Sequence, residues 1–145
     1  MSNLPFTLQL QADEVSTFLA EVYPLCQKKL GILHLKAGEI HTRWAVSSAD
    51  QRPGGTLSGP TMFTAADASF YALTLAMIGR QALAVTSSLN IHFLRKPAIA
   101  DLECKSYIRQ LGRQLIVGDC LLYSSGDPRP VAQASVVYAR PSLAR

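Results

Sequence analysis

Residues 57–80 read LSGPTMFTAADASFYALTLAMIGR, and this stretch decides the fold. Ser58 or Gly59 can cap the start of a helix, and Pro60 then falls in its first turn, where the missing N–H costs little. Gly79 can end the same helix. The stretch is too apolar and too rich in alanine to lie on a surface. We therefore predict one helix from Gly59 to Gly79 that the rest of the domain encloses.

Asp67 is the only charged residue between Arg52 and Arg80. A carboxylate on a core helix is unfavourable unless it accepts hydrogen bonds or takes part in chemistry. Two interpretations follow. Asp67 either caps a neighbouring loop or sits satisfied in a polar pocket, or it is the reactive group of a site. The composition of the helix leaves both open.

The flanking sequence predicts a further helix and six strands. Asp13 and Glu14 can cap an N-terminal helix, and Gly31 is expected to end it. The apolar face of this helix comprises Val15, Phe18, Leu19, Val22, Leu25 and Cys26. The predicted strands are residues 32–36, 40–46, 84–95, 102–111, 114–123 and 131–140, with a polar, turn-rich segment at 48–55. This order predicts an α+β domain in which an antiparallel sheet carries its helices on one side.

Length and composition bound the class of protein. The chain has 145 residues, of which 48% are hydrophobic and 17% charged, so we expect one globular domain spanning residues 1–145. Its formal charge is +4, but the 14 basic residues form no Lys/Arg run, so no nucleic-acid partner is expected. Met1–Phe6 resembles no leader segment, and no run of about 18 apolar residues follows. We therefore expect a cytoplasmic protein that does not enter a membrane.

The cysteines and histidines predict no metal site. Cys26, Cys104 and Cys120 are odd in number and widely spaced, so we expect reduced thiols in the core. His34 and His41 lie on consecutive predicted strands and could face one another. No cysteine or acidic residue completes a ligand set at zinc-like spacing.

Four motifs occur together in one known family. They are residues 55–60 (GTLSGP) with Asp67 nine residues after Ser58, residues 85–97 (VTSSLNIHFLRKP), Gly112–Arg113, and residues 131–134 (VAQA). In this order and spacing the chain resembles the hotdog-fold acyl-CoA thioesterases of the PaaI type, over roughly residues 30–140. The resemblance implies a hotdog fold, in which an antiparallel sheet wraps around a central apolar helix, here with an extra N-terminal helix.

The chain departs from the family pattern at three positions. The family has a Gly-x-Leu-His-Gly-Gly turn and a catalytic Asp nine residues after the His. Here Ser58 replaces the His, Pro60 replaces the second Gly, and Arg52 stands where relatives often have Asn. The departures leave two alternatives open, a specialised subgroup or a lost activity.

Thioester hydrolysis needs a group that activates or delivers a nucleophile and donors for the oxyanion. The resemblance implies that Asp67 is the first of these. Gly59 can present a free backbone N–H at the positive end of the helix dipole. Ser58 can cap the helix, and its hydroxyl could partly replace the missing imidazole. Asp67, Gly59 and Ser58 are therefore the candidate catalytic residues, together with Thr86, which could orient Asp67 or a water.

The spacing of Gly59 and Asp67 predicts a site shared by two chains. Eight residues of helix separate them by about 12 Å, at ~1.5 Å per residue. They cannot serve the same carbonyl within one chain, so we expect a homodimer or homotetramer with sites at the subunit interface. The resemblance implies the same arrangement.

The expected ligand is an acyl-CoA, with no further cofactor. The candidate coenzyme A contacts are Asn90, Arg95, Lys96 and Arg113. The three cations lie at strand ends or turns, where they could meet phosphates. Thr86 is also explained by strand propensity alone. The residues that could line an acyl pocket, or could equally be core packing, are Phe63, Phe70, Tyr71 and Met77.

Three functions are compatible with this pattern. The leading interpretation is an acyl-CoA thioester hydrolase. The alternative is a non-catalytic acyl-CoA-binding or regulatory hotdog protein that kept the pocket and lost the chemistry. A hotdog dehydratase is disfavoured because no Asp/His pair occurs on the central helix.

Overall fold

The apolar stretch forms one helix, Gly59–Ile78, at the centre of the computed structural model, which describes residues 7–141. Of its 20 residues, 15 are buried. An 18-residue window of this helix has a mean hydropathy of 1.3, enough to span a membrane, but 83% of that window is buried inside the fold. Gly79 ends the helix at φ 91°, a backbone conformation that favours glycine. The protein core therefore accounts for the apolar character of the helix.

The predicted helices and strands occur in the predicted order, and the structure adds a second short N-terminal helix, a 3₁₀ turn and two short strands. The elements are helices α1 (Ala12–Val22) and α2 (Pro24–Lys29), strands β1 (Leu30–Lys36) and β2 (Glu39–Trp44), a 3₁₀ turn (Ser48–Asp50), strands β3 (Gln51–Arg52) and β4 (Thr56–Leu57), helix α3 (Gly59–Ile78), and strands β5 (Val85–Phe93), β6 (Leu102–Leu111), β7 (Leu115–Ser124) and β8 (Pro130–Ala139). The bounds of β5 to β8 agree with the predicted strands to within two residues.

Six strands form one antiparallel sheet in the order β1-β2-β6-β7-β8-β5. Helix α3 contacts all six strands, so the sheet wraps around it. Close packing in the middle of the sheet requires Gly118, where a side chain would collide with the buried Phe70 ring. The predicted α+β class and hotdog fold are confirmed. Strands β1 and β5 are the two edges of the sheet.

The predicted N-terminal helix is present, but it ends at Val22 instead of continuing to Gly31, and the second short helix, α2, follows it. Tyr23 leaves the helical conformation, with φ −150° and ψ 65°, and Pro24 begins the second helix. Proline has no N–H to donate and disfavours the helical conformation in the residue before it. Two residues of the predicted apolar face are not buried, since Val22 is 41% and Leu25 74% exposed, whereas Cys26 beyond the break lies in the core. Gly31 does not end a helix but lies within β1.

The polar segment at residues 48–55 contains local structure that leads into α3. After the 3₁₀ turn, β3 and β4 pair as a small antiparallel hairpin. Gly54 and Gly55 form its turn at φ 99° and 69°, values that favour glycine. The hairpin delivers Ser58 to the start of α3.

Candidate active site

Ser58 caps α3 and directs its hydroxyl proton into the protein. Its Oγ accepts a hydrogen bond from the Thr61 backbone N–H at 3.2 Å. Thr61 Oγ1 donates to the carboxylate of Asp50 at 2.8 Å. Ser58 Oγ lies 2.9 Å from Thr61 Oγ1, and because the only hydroxyl proton of Thr61 points to Asp50, Ser58 is the donor of this pair. The Ser58 proton is therefore not directed towards a ligand.

Asp50 contacts the start of α3 with both its backbone carbonyl and its side chain. Its backbone carbonyl accepts from Ser58 N–H at 2.8 Å, and its side chain accepts from Thr61 and from Ser47 N–H at 2.8 Å. Lys29 Nζ lies 3.8 Å away. Burial opposes ionisation of Asp50, but these hydrogen bonds and the Lys29 charge prevail and lower its pKa. The sequence prediction missed this residue, although Ser47-x-x-Asp50 has the spacing of a capping box.

Gly59 is the first residue of α3, as predicted. Among residues 7–141 no hydrogen bond uses its N–H, which lies in the first turn of the helix, where backbone donors lack intrahelical partners. Its Cα faces the Phe93 ring, and an added Cβ would lie 3.2 Å from that ring. The backbone N–H of Gly59 is therefore available to donate a hydrogen bond, and Gly59 has no side chain that would block a ligand beside the exposed Phe93.

Asp67 is half-buried and held by two hydroxyls. Thr86 Oγ1 donates to Asp67 Oδ1 at 2.6 Å, and Tyr138 OH donates to the same oxygen at 2.8 Å. Within the described part of the chain no hydrogen bond reaches Oδ2. One oxygen is thus fixed and the other is free to meet a water or a substrate. The predicted proximity of Thr86 to Asp67 is confirmed, whereas Tyr138 was missed.

A β-bulge turns Thr86 towards Asp67. Thr86 pairs with Tyr138 across β5 and β8, and the register then shifts so that Ser87 is an extra residue. Leu89 and Ile91 of β5 pack on the core. With regular alternation along the strand, Thr86 would face away from the core side on which Leu89 and Ile91 lie. The extra residue, Ser87, shifts the alternation by one, so Thr86 faces the core side as well. Burial and the Asp67 charge raise the pKa of Tyr138, so its hydroxyl remains a donor.

A cavity of about 550 Å³ lies beside Asp67. This volume is within the usual range of small-molecule sites. Its lining residues are Val22, Tyr23, Cys26, Trp44, Thr64, Asp67, Ala68, Tyr71, Ala82, Leu83, Ala84, Val85, Thr86 and Tyr138. Most of these side chains are apolar or aromatic, and the polar groups among them include Asp67 with its two hydroxyl donors and Thr64.

Of the four residues predicted for an acyl pocket, only Tyr71 lines this cavity. Phe70 is fully buried in the core under Gly118. Met77 is buried, and its sulfur accepts from Gly38 N–H at 3.3 Å. Phe63 is 39% exposed away from the lining. Helix α3 is apolar on all sides, so its composition did not distinguish core residues from the cavity wall.

The four predicted coenzyme A contacts are exposed and do not line the cavity: Asn90, Arg95, Lys96 and Arg113. Arg95 and Lys96 lie two and three residues beyond the end of β5. Arg113 lies in the turn before β7. The first residues of β5 and β7 both pair with Ala139. The turn that holds Arg113 therefore lies at the end of the sheet where β5 begins, opposite to the end where Arg95 and Lys96 lie. A single chain therefore does not bring the three cations together.

The remaining candidate groups form no metal centre in the described residues. Cys26, Cys104 and Cys120 are free and buried, as predicted. The His34 and His41 rings face each other at 5.4 Å. Between residues 7 and 141 no three His, Cys, Asp or Glu side chains converge as metal ligands.

Comparison with known proteins supports a single family. The model of the thioesterase superfamily matches residues 54–141. The crystal structure of a candidate thioesterase from Silicibacter sp. TM1040 superposes with a TM-score of 0.87 at 45% identity, covering 95% of this chain and 96% of that one.

Two more distant structures show the fold alone. Zebrafish thioesterase superfamily member 2 superposes with a TM-score of 0.78 at 17% identity, covering 92% of this chain and 100% of that one. The Escherichia coli PaaI protein of the phenylacetic acid degradation operon gives 0.71 at 24% identity, covering 89% and 97%. No match is found among curated proteins.

Proposed function

Because the chain belongs to the thioesterase superfamily and is a thioesterase, we propose that it hydrolyses acyl-CoA at a site built on Asp67 and Gly59. The observation that carries the proposal is the carboxylate of Asp67. Two donors fix its Oδ1, and Oδ2 has no partner among the described residues. A carboxylate oriented in this way beside an apolar cavity is suited to activate water or to attack a thioester.

In the general-base route, a water gives its proton to Asp67 Oδ2 as its oxygen attacks the thioester carbonyl carbon. The carbonyl electrons move to the oxygen, and the partner subunit's Gly59 N–H donates a hydrogen bond that stabilises the negative charge there. Collapse of this intermediate breaks the C–S bond, and the proton passes from Asp67 to the departing thiolate. The products are a carboxylic acid and coenzyme A. In the nucleophilic route, Oδ2 attacks the carbonyl carbon and the C–S bond breaks, giving a mixed anhydride of Asp67 and the coenzyme A thiolate. Water then hydrolyses the anhydride to the carboxylic acid, which restores Asp67, and the second water proton passes to the thiolate.

The two halves of the site lie towards opposite ends of β5. Asp67 is bonded to Thr86 near its start, and Gly59 faces Phe93 at its end. The β8 partners of Thr86 and Phe93 are Tyr138 and Ala132, six residues of extended strand apart, or about 20 Å. Strand β5 is also an open edge of the sheet. Antiparallel pairing of two β5 edges about a two-fold axis would bring Asp67 towards the partner subunit's Gly59.

The same pairing would unite the candidate coenzyme A contacts. Arg113 lies at the end of the sheet where β5 starts, and Arg95 and Lys96 lie where β5 finishes. In a two-fold dimer Arg113 would approach the partner's Arg95 and Lys96, giving a basic rim for the coenzyme A phosphates. Asn90, on β5 between these ends, is the fourth proposed contact. A cytoplasmic location and the absence of a further cofactor remain predictions.

The decisive experiment measures thiol release from a panel of acyl-CoAs. Asp67→Asn keeps the shape of the side chain and removes its charge, so turnover should fall by at least ~100-fold while the fold persists. The matched control is Asp127→Asn, which changes a carboxylate in the β7–β8 turn that pairs with Arg129. Wild-type rates in Asp67→Asn would make Asp67 structural.

Three further measurements test the function, the route and the assembly. Acyl-CoA binding without thiol release would support the non-catalytic alternative. For an active enzyme, a single turnover in ¹⁸O-water places label in Asp67 only if the carboxylate acts as nucleophile. Sizing by light scattering should give a dimer or a tetramer. A monodisperse monomer at micromolar concentration contradicts the shared site.

A further inference from the structure

One wall of the cavity beside Asp67 comes from the junction of α1 and α2. Val22, Tyr23 and Cys26 line it from this side. The junction lies outside residues 54–141, the part that the family model matches, whereas Asp67 and both of its hydroxyl partners lie inside. The wall and the reactive carboxylate therefore belong to different parts of the chain, and the wall can vary without changing the chemistry.

The helix break sets the position of Tyr23. Its N–H donates to Leu19 O at 2.7 Å and closes α1, and Pro24 is the first residue of α2. The Tyr23 ring lies edge-on to Tyr71, with centroids 6.4 Å apart. Tyr71 is itself held by a hydrogen bond to Ala82 O at 2.9 Å. Tyr23 is 52% exposed, so it covers the outer part of the cavity against a fixed aromatic partner.

Cys26 forms a buried part of the same wall. Its side chain is 4% exposed. Burial and the charge of Asp67 raise the pKa of the Cys26 thiol to about 11, so it is neutral and unreactive at physiological pH. A neutral thiol behaves as a small apolar group, and its size limits how far a ligand can extend.

We propose that the α1–α2 junction selects the acyl group of the substrate, with Cys26 limiting the depth of the cavity and Tyr23 covering its mouth. This inference rests on the proposed hydrolysis of acyl-CoA at Asp67, and it names the substrate class as thioesters of uncharged, apolar acyl groups. An acyl group ending in a carboxylate would lose its hydration in this apolar space and would be repelled by Asp67. A cavity of about 150 Å³ can hold benzene, so the space allows larger groups.

The test is a chain-length profile of kcat/KM from acetyl-CoA to dodecanoyl-CoA. Cys26→Met fills part of the cavity, and it should lower kcat/KM for the best long substrate relative to acetyl-CoA by ~10-fold or more, the effect of a methylene that no longer fits. Tyr23→Ala removes the aromatic cover at the mouth of the cavity and with it an apolar contact for a long acyl chain. It should therefore also lower kcat/KM for the long substrate relative to acetyl-CoA, by a similar factor. The control is Leu25→Ala at an α2 position 74% exposed, which should leave the profile unchanged. Tyr23→Phe keeps the ring and should restore the chain-length ratio that Tyr23→Ala loses.

The outcomes separate this inference from the proposed function. If the wild type is active and both Cys26→Met and Tyr23→Ala show the wild-type chain-length profile, the proposed role of the α1–α2 junction is overturned, while the proposed hydrolysis stands. Should Cys26→Met fail to fold, Tyr23→Ala still decides the matter, because its side chain is half-exposed. If the wild type releases no thiol, the same ratios are read from acyl-CoA affinities by calorimetry. Failure to bind any acyl-CoA overturns both proposals.

Discussion

Replacing Ser58 by glycine tests whether this serine takes part in chemistry or only holds the start of α3. The change removes the hydrogen bond accepted from Thr61 N–H at 3.2 Å and the one donated to Thr61 Oγ1 at 2.9 Å. Glycine is a tolerated N-cap, so the free energy of unfolding should fall by only a few tenths of a kcal/mol. The corresponding decrease in Tm is about 1 to 2 °C for a chain of this size.

The expected effect on rate follows from the direction of the Ser58 proton. That proton points to Thr61, so no donor is lost from the oxyanion site when the hydroxyl is removed. Removing a donor that does reach the oxyanion raises the barrier by about 3 kcal/mol, a hundredfold or more in kcat. We therefore expect kcat to fall by less than about tenfold in Ser58→Gly.

The assay measures thiol release at saturating acyl-CoA and Tm on the same preparations. Ser58→Ala is the matched control, because alanine is a poor cap, and it should lose about 1 kcal/mol of stability with a similarly small change in kcat. A decrease beyond a hundredfold with unchanged Tm would show that the hydroxyl is catalytic and that the hydrogen-bond directions inferred for Ser58 are wrong.

Three further substitutions test the groups that hold the site. Tyr138→Phe removes one of two donors to Asp67 Oδ1 and should lower kcat by ~10-fold with little change in KM. The double variant Tyr138→Phe/Thr86→Val should lower kcat by less than the product of the two single effects, because both hydroxyls act on one oxygen. Additive effects would show that the two hydroxyls act separately. Asp50 has a lowered pKa, so its stabilisation is present above its ordinary value of 3.8 and is lost as the pH falls through the folded-state pKa. Asp50→Asn should therefore have a lower Tm than the wild type at pH 7, and the difference should shrink in scans below about pH 4; a constant difference would contradict this role.

The fold could be predicted because periodic patterns span whole elements. The all-apolar central helix and the strands after it follow directly from such patterns. The break at Pro24 was missed for the same reason, because apolar spacing continued through it while proline and Tyr23 changed the local backbone. Pro24, which has no N–H, ends the helix after the 11 residues of α1, although the apolar spacing predicts that it continues.

The site was harder to predict because its contacts depend on strand register. Tyr138 meets Asp67 from 71 residues away, and only the pairing of β5 with β8 places it there. Thr86 was expected from the family motif, yet alternation from Leu89 would have turned it outwards. The bulge at Ser87 corrects this, and no residue type signals it. Asp50 carried a local signal in its spacing from Ser47, and the turn-rich composition of that segment hid it.

The placement of Asp67 and Gly59 towards opposite ends of β5 has a genetic consequence. In the proposed dimer, each chain donates the carboxylate to one site and the oxyanion donor to the other. Two inactive chains, one altered at Asp67 and one obstructed at Gly59, would therefore complement each other when co-expressed. Random pairing would make half of the dimers mixed, each with one intact site, so about a quarter of the wild-type activity would return.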